Sequence, residues 1–323
     1  MDGKIVVVGV DEAGYGPLLG PLVVSATAFE LSAETADQCL WKVLRESVEP
    51  SARAVSGRIP ILDSKKLYKR KDGIRRLERS VLATVAAWRG LPPTLASLLG
   101  LVSPETVSLL QGYPWYRESD PALPVEADPG GLRIATHRLA KDLERQEVRI
   151  AGCWSEVLLE GHFNRLIGST HNKAVVLLGL TLRLVQRVAD AFPGSELRVF
   201  IDKQGARDHY GPVLMRAFEG RRLRIVGEGS DYSAYELTTE AAPWRVQFEQ
   251  SGESLHLPVA LASMLSKYIR ELLMTCFNGF WSRQVPGIRP TAGYYQDGQR
   301  FVQAIQPHLQ RLGIERDLLV RKR

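Results

Sequence analysis

The chain has 323 residues, 45% of them hydrophobic, with 42 lysines and arginines against 36 aspartates and glutamates, a formal net charge of +6 and a pI of about 9.2. That length and apolar content exclude a disordered tail and leave one large domain or two modest ones with a well-buried core, while the basic excess suits a polyanionic partner. No apolar run reaches the ~18 residues of a membrane span and the start MDGKIVVVGVDE lacks the build of a signal peptide, so a soluble, cytoplasmic protein with no membrane partner is expected.

In chain order, KIVVVGVD and GPLVVSATAFE are β-rich runs separated by EAGYGPLL, the pattern of a hairpin opening an antiparallel sheet. Residues 69–88 carry Ile74, Leu77, Val81, Leu82 and Val85 at helical spacing with charges between them, which predicts a helix lying on that sheet. Seven of the 18 prolines (Pro92, Pro93, Pro104, Pro114, Pro121, Pro124 and Pro129) then fall in a stretch with two short helical patterns and no core of its own. The expectation is one domain over 1–323 with a surface insertion at about 90–147. VRIAGCWSEV reads as a third strand, and HNKAVVLLGLTLRLVQRVADAF as a long helix ended by Pro193 and Gly194. ELRVFID is a short buried strand stopping at Asp202, RLRIVGEG another strand, and LPVALASMLSKYIRELLMTCF a further helix. Antiparallel strands followed by alternating strands and helices describe an α/β sheet of mixed direction. The cysteines Cys39, Cys153 and Cys276 lie far apart without metal-ligand spacing and read as structural thiols in a reducing compartment.

Asp11 and Glu12 sit side by side at the end of the first strand pattern, and Asp202 closes a later one. Neighbouring side chains on a strand face opposite sides, so Glu12 joins Asp11 only if the chain bends immediately after it, which Ala13, Gly14 and Gly16 permit. Taken alone, an Asp-Glu pair before a glycine turn is usually a solvated turn or a helix cap, and Asp often ends a strand before a turn. If the carboxylates do converge, a cation must neutralise them. Oxygen ligands without His or Cys select Mg²⁺ or Mn²⁺, and two such ions about 4 Å apart serve phosphodiester hydrolysis.

Taken in order, the motifs carry a resemblance. VDEAGYGPLLGPLVVSA resembles the opening of the type 2 ribonucleases H, ribonuclease HII and ribonuclease HIII, where a DEAGRGP turn starts the fold. LDSKKLYKRK resembles that family's DSKKL segment, and VFIDKQ falls at its third acidic residue. GESLHLPVALASMLSKYIRE resembles its GDS, AASILAK and RD stretch, and AGYYQDG its KGY segment. The resemblance implies a ribonuclease H-like fold, α/β with antiparallel first strands and flanking helices, and an endoribonuclease that cuts the RNA strand of RNA/DNA hybrids or ribonucleotide-containing DNA, leaving a 3′-hydroxyl and a 5′-phosphate.

By position, Asp11, Glu12 and Asp202 match the family's metal-binding carboxylates, for Mg²⁺ or Mn²⁺. Glu253 stands where ribonuclease HII has an aspartate and Glu271 matches a second acid further along, so either completes the set. The amides of Gly14, Tyr15 and Gly16 match the turn that holds a phosphate and reaches a 2′-hydroxyl, although Tyr15 replaces the family's arginine and its fixed fork of donors. Tyr294 matches the tyrosine that stacks on the sugar at a ribonucleotide–DNA junction. Lys65 and Lys66 are the expected phosphate contacts, with Lys69, Arg70, Lys71, Arg75 and Arg76 in support. Two rival readings stay open: a family member that binds hybrids without cutting, and another nuclease of the same fold such as a junction resolvase. The subtype is open, and a monomer is expected.

Overall fold

Ile5, Val6, Val7, Val8 and Val10 are β-branched, and their side chains divide between two apolar clusters, Ile5 and Val7 entering one and Val6, Val8 and Val10 the other. A strand buried on both faces belongs in the middle of a covered sheet, and that is where the computed structural model puts it. The structure describes residues 4–52, 57–68, 73–205, 207–240 and 242–322.

Seven strands form the main sheet: β1 (Ile5–Ala13), β2 (Leu22–Leu31), β3 (Arg149–Leu158), β4 (Glu196–Asp202), β5 (Arg222–Glu228), β6 (Tyr232–Thr238) and β7 (Trp244–Glu249). Their spatial order is β3-β2-β1-β4-β7-β6-β5. β1 pairs with β2, and β2 with β3, antiparallel; β4 lies parallel to both β1 and β7; the far edge returns to antiparallel pairing. This is the mixed α/β sheet with antiparallel first strands that the sequence implied.

Helices cover both faces. Those that position the site are α1 (Ser64–Leu67), α2 (Arg75–Arg89), α3 (Pro114–Arg117), α4 (Pro129–Arg145), α5 (Glu160–Thr170), α6 (Lys173–Ala191), α7 (Gly252–Leu255), α8 (Leu257–Gln284) and α9 (Tyr295–Arg311). α2 begins at Arg75, six residues after the expected start, and Lys69, Arg70 and Lys71 lie outside the described residues. On one face α5 and α6 bury Phe163, Leu180, Leu184 and Val185 against Val8 and Val10. On the other, α8 starts in contact with β1: a Cβ built on Gly9 would stand 2.1 Å from the Pro258 carbonyl carbon. The Thr27 hydroxyl donates to the Pro258 carbonyl at 2.8 Å, fixing the same point from β2. A side chain at position 9 would push α8, and with it α7, away from the strand ends.

The proline-rich segment is wedged between α2 and α8. Trp115 and Tyr116 on α3 are buried in the cluster of α8, Trp115 standing edge-on to Phe277 at 5.7 Å. The tie is reciprocal. The buried Glu78 of α2 accepts the amides of Val125, Glu126 and Ala127, each at 2.7 Å, and Glu126 accepts those of Ile74 and Arg75 at 2.9 and 3.1 Å. With Leu98 and Leu99 before Trp115 and Leu132 and Leu139 after it buried in the same cluster, the segment expected as a surface insertion contributes to the core along its length.

Candidate active site

Parallel pairing of β1 and β4 delivers the first two acids. Val10 registers with Ile201, and both point into the α6-side cluster. One residue further along each strand, Asp11 and Asp202 turn to the α8 side, on strands spaced about 4.8 Å apart. The buried Asp11 accepts the Glu12 amide at Oδ1 (2.7 Å), and its carbonyl accepts the Ser266 hydroxyl of α8 at 3.0 Å. Asp202 Oδ1 accepts the Gly252 amide at 2.9 Å, which brings the next residue, Glu253, alongside. Glu253 is only 9% exposed and its Oε2 has no hydrogen-bond partner.

Glu12 registers with Val24, and β1 runs on through Ala13, so the bend comes at Gly14 (φ 89°) and not directly after Glu12 as the sequence was read. Ladder pairing of Glu12 and Ala13 with β2 holds the strand that far. Glu12 still reaches its neighbours. Burial pushes its carboxyl up to about 7, with the charge of Asp202 adding to the rise and Lys65 opposing it. Asp202 is pushed up to about 8 by burial, then by Asp11 and Glu253. Asp11 stands well above the usual carboxylate range through burial and the Glu12 charge, against the pull of the Ser263 hydroxyl. These acids share one poorly solvated space and repel one another.

The DSKKL segment joins them through α1. Asp63 caps it by accepting the Lys65 amide at 2.9 Å, and the Ser64 hydroxyl meets that of Ser263 at 3.0 Å. Burial disfavours the Lys65 ammonium, yet Asp63, Asp11, Glu253 and Asp202 together hold its pKa above the ordinary value. Lys66 is exposed and is not among the charges that shift these acids. Glu271 is engaged elsewhere, accepting the Tyr68 hydroxyl at 2.8 Å and the Lys267 ammonium at 2.5 Å. Of the two acids the sequence left open, the structure sets Glu253 beside Asp202.

Among the described residues no three His, Cys, Asp or Glu side chains close, as they stand, into a metal-binding group. The chemistry of the set nevertheless fits a hard divalent ion: all donors are oxygens, one buried oxygen is unpartnered, and burial and repulsion raise the pKa values of Asp11, Glu12 and Asp202, which a cation would lower again.

The glycine turn is held from behind. Arg270 of α8 donates to the carbonyls of Pro21 (2.5 Å), Leu19 (3.0 Å) and Ala292 (3.1 Å), and Arg321 to those of Gly14 (2.5 Å) and Tyr15 (3.0 Å). Gly14 has no room for a side chain, since a Cβ would lie 2.5 Å from the Pro21 oxygen, whereas Gly16 faces open space. The Tyr15 side chain packs against the α6-side cluster, and burial, together with the Glu12 charge, raises its phenol. The Gly293 carbonyl accepts the amides of Leu18 (2.7 Å) and Leu19 (3.2 Å), placing Tyr294, 54% exposed, beside the turn at the start of α9.

Sequence reasoning missed Ser263, Arg270 and Arg321. The first two lie inside the quoted α8 motif, whereas Arg321 has no local signal, because its partners are hundreds of residues away. Lys203, next to Asp202, is buried and spends its ammonium on Asp208 and on the carbonyls of Gly229 and Ser230.

No protein-family model matches the chain, and no curated protein matches it by sequence. Among solved structures, one of Bst ribonuclease HIII, a point mutant, is 17% identical over 99% of this chain and 66% of its own, with a TM-score of 0.48. Ribonuclease HII of Archaeoglobus fulgidus, solved with PCNA, is 15% identical over 98% of this chain and 94% of its own, with a TM-score of 0.46. Bst ribonuclease HIII with Mn²⁺ is 16% identical over 99% and 67%, with a TM-score of 0.45. The chain thus spans just under two thirds of the first of these proteins. Among the described residues no helix is long and apolar enough to cross a membrane. The proteins this chain resembles, in its motifs and among these structures, are the type 2 ribonucleases H.

Proposed function

We propose that the chain is a metal-dependent endoribonuclease acting on the RNA strand of RNA/DNA hybrids. The observation that carries this reading is the group of mutually repelling acids, Asp11, Glu12 and Asp202 at the ends of adjacent parallel strands with Glu253 of α7 beside them, faced by Lys65. Charges so poorly compensated are costly unless a ligand completes them. Two Mg²⁺ or Mn²⁺ ions bound by these four residues would lower the pKa of an attacking water and stabilise the leaving oxygen. The chain's own groups do the rest. Ser263 and Ser266 hold Asp11 from α8, the Gly252 amide holds Asp202, and the Lys65 ammonium balances a backbone phosphate. Amides of the Gly14–Gly16 turn meet a phosphate and a 2′-hydroxyl, the group that tells RNA from DNA, and the exposed Tyr294 supplies a ring to stack on the sugar.

A strand-labelled RNA/DNA hybrid incubated with Mg²⁺ or Mn²⁺ tests this. Internal cuts in the RNA strand ending in 3′-hydroxyls, abolished by EDTA and absent from an all-DNA duplex, are expected. Tight hybrid binding without cuts under either metal would identify a silent binder, and cleavage confined to four-way DNA junctions would identify a resolvase.

A further inference from the structure

Arg321 reaches the substrate turn from 307 residues along the chain. It is 2% exposed and lies over the Phe163 ring, 4.0 Å from its centroid. The segment carrying it is strapped to α5: Asn164 donates to the carbonyls of Asp317 and Val320, each at 2.7 Å, and accepts the Lys322 amide at 2.6 Å. From this anchored position Nη1 reaches the Gly14 carbonyl (2.5 Å), Nη2 the Tyr15 carbonyl (3.0 Å), and the Arg321 amide the Leu18 carbonyl (2.9 Å).

In a planar trans peptide the C=O and the N–H of the next residue point in opposite directions. A guanidinium that draws the Gly14 and Tyr15 carbonyls inward therefore turns the Tyr15 and Gly16 N–H groups outward. A side chain at Gly16 would meet nothing within 4 Å, so the turn is open beside that residue. We propose that Arg321 is a positioning residue for substrate recognition: it sets the two turn amides that receive the 2′-hydroxyl and adjoining phosphate, and so fixes how well RNA is distinguished from DNA. This rests on the reading of the site as a hybrid-cutting one. The two carbonyls are served by separate nitrogens of one rigid fork, a geometry that lysine's single ammonium does not reproduce. With the Tyr15 side chain packed on the protein, orientation of the backbone is what remains at this turn to grip the sugar.

The test compares wild type with Arg321→Lys, which keeps the charge and the stem, and Arg321→Ala. Amide hydrogen exchange across residues 11–22 is read on the ligand-free proteins, and kcat and KM on an RNA/DNA hybrid. Both variants are expected to exchange faster in the turn while α8 stays protected. KM is expected to rise about tenfold or more, the equivalent of one weakened hydrogen bond to substrate, with kcat little changed. Guanidinium ion added to Arg321→Ala should recover part of the KM, which a general loss of stability would not allow. Unchanged turn exchange and unchanged KM in Arg321→Lys would overturn the proposal. A fall in kcat equal to the rise in KM would also overturn it, because the residue would then serve the acids and not the amides. If wild type neither binds nor cuts hybrids while the turn still loosens in both variants, the reading of the site as a ribonuclease fails and the link between Arg321 and the turn stands.

Discussion

Two groups of buried charge lie on either side of the Gly14–Gly20 turn, and they are built on opposite principles. In front, Asp11, Glu12, Asp202 and Glu253 are of one sign, burial and mutual repulsion raise the pKa values of the first three, and Glu253 keeps an oxygen without a partner. Behind, Arg270, Arg321, Glu160 and Tyr116 mix signs, and Arg270 and Arg321 donate to the carbonyls of the turn while Tyr116 donates to Glu160 at 2.8 Å, although Arg321 Nε and Glu160 Oε2 keep no partner. Burial carries a cost in both places. In the rear group opposite charges lie together and offset part of it, and the arginines hold the turn; the front group sets acids of one sign together with only Lys65 against them, which is the mark of a site awaiting a ligand.

The comparison is broken most directly from the front. Asp11→Asn and Asp202→Asn remove charge without removing core atoms, so cleavage should fall at least ~10²–10³-fold while the fold persists. Each change also relieves repulsion among the acids, so at pH 8 the metal-free variants should melt about 1–2 °C above wild type, the shift expected for roughly 1 kcal/mol in a chain of this length. Calorimetry with and without Mg²⁺ checks both halves. Lower melting in the metal-free variants would show that the acids are already compensated and that the front group is structural after all.

How much of this was legible beforehand follows from how local each signal is. Asp11 and Asp202 stand at strand ends whose hydrophobic runs are readable, so their approach could be expected, although the register that aligns Val10 with Ile201 could not, and Glu253 came only from the resemblance of its motif. β6 and β7 went unread because YSAYELT and WRVQFE mix charge with apolar residues, and only pairing with β4 and β5 makes them strands. The reach of Trp115 and Tyr116 into the core was hidden by the prolines around them. Arg321 was invisible, since nothing beside it in sequence resembles the turn it holds.

Glu160 tests the rear group. Burial pushes its carboxyl from an ordinary 4.5 up to about 7, against the pull of its own backbone amide, Tyr116, Arg321 and Arg270. The same burial, helped by Arg270, brings Arg321 down to about 9. A carboxyl whose folded pKa is raised contributes stability that is fully present below the unfolded value and is lost as pH rises through the folded one. Between about pH 4.5 and 7 wild type should thus lose about 3 kcal/mol on this account. Glu160→Gln should remove that slope and be the more stable form at pH 8. Urea unfolding of both proteins at pH 5 and pH 8 checks it, and their difference cancels the front acids, whose shifts have the same sign. Parallel pH dependence would mean that Glu160 stays ionised in a true ion pair with the arginines.

Lys65 and Lys66 separate the two groups at the smallest scale. Both are exposed lysines on one short helix, and composition alone makes them equal candidates to hold a phosphate. The structure makes them unequal: against burial, Asp63 and then Asp11, Glu253 and Asp202 raise the Lys65 pKa, so its ammonium lies near the acids, where the proposed reading would bring a scissile phosphate. Taking away one cation that neutralises a phosphate of a duplex-like substrate lowers the slope of log K against log salt by about 0.9. Lys65→Ala should show that decrease and weaken hybrid binding at low salt by about 1 kcal/mol, while Lys66→Ala, away from the acids, should show less than half of it. The ammonium has competing partners, because metal ions entering the acids would free it for the phosphate. The difference between the two variants should therefore widen when binding is measured with Ca²⁺, a hard divalent ion that takes oxygen ligands, instead of without metal. Equal slopes for the two variants, with or without Ca²⁺, would place the substrate along the outer face of the helix and leave Lys65 as a structural counter-charge.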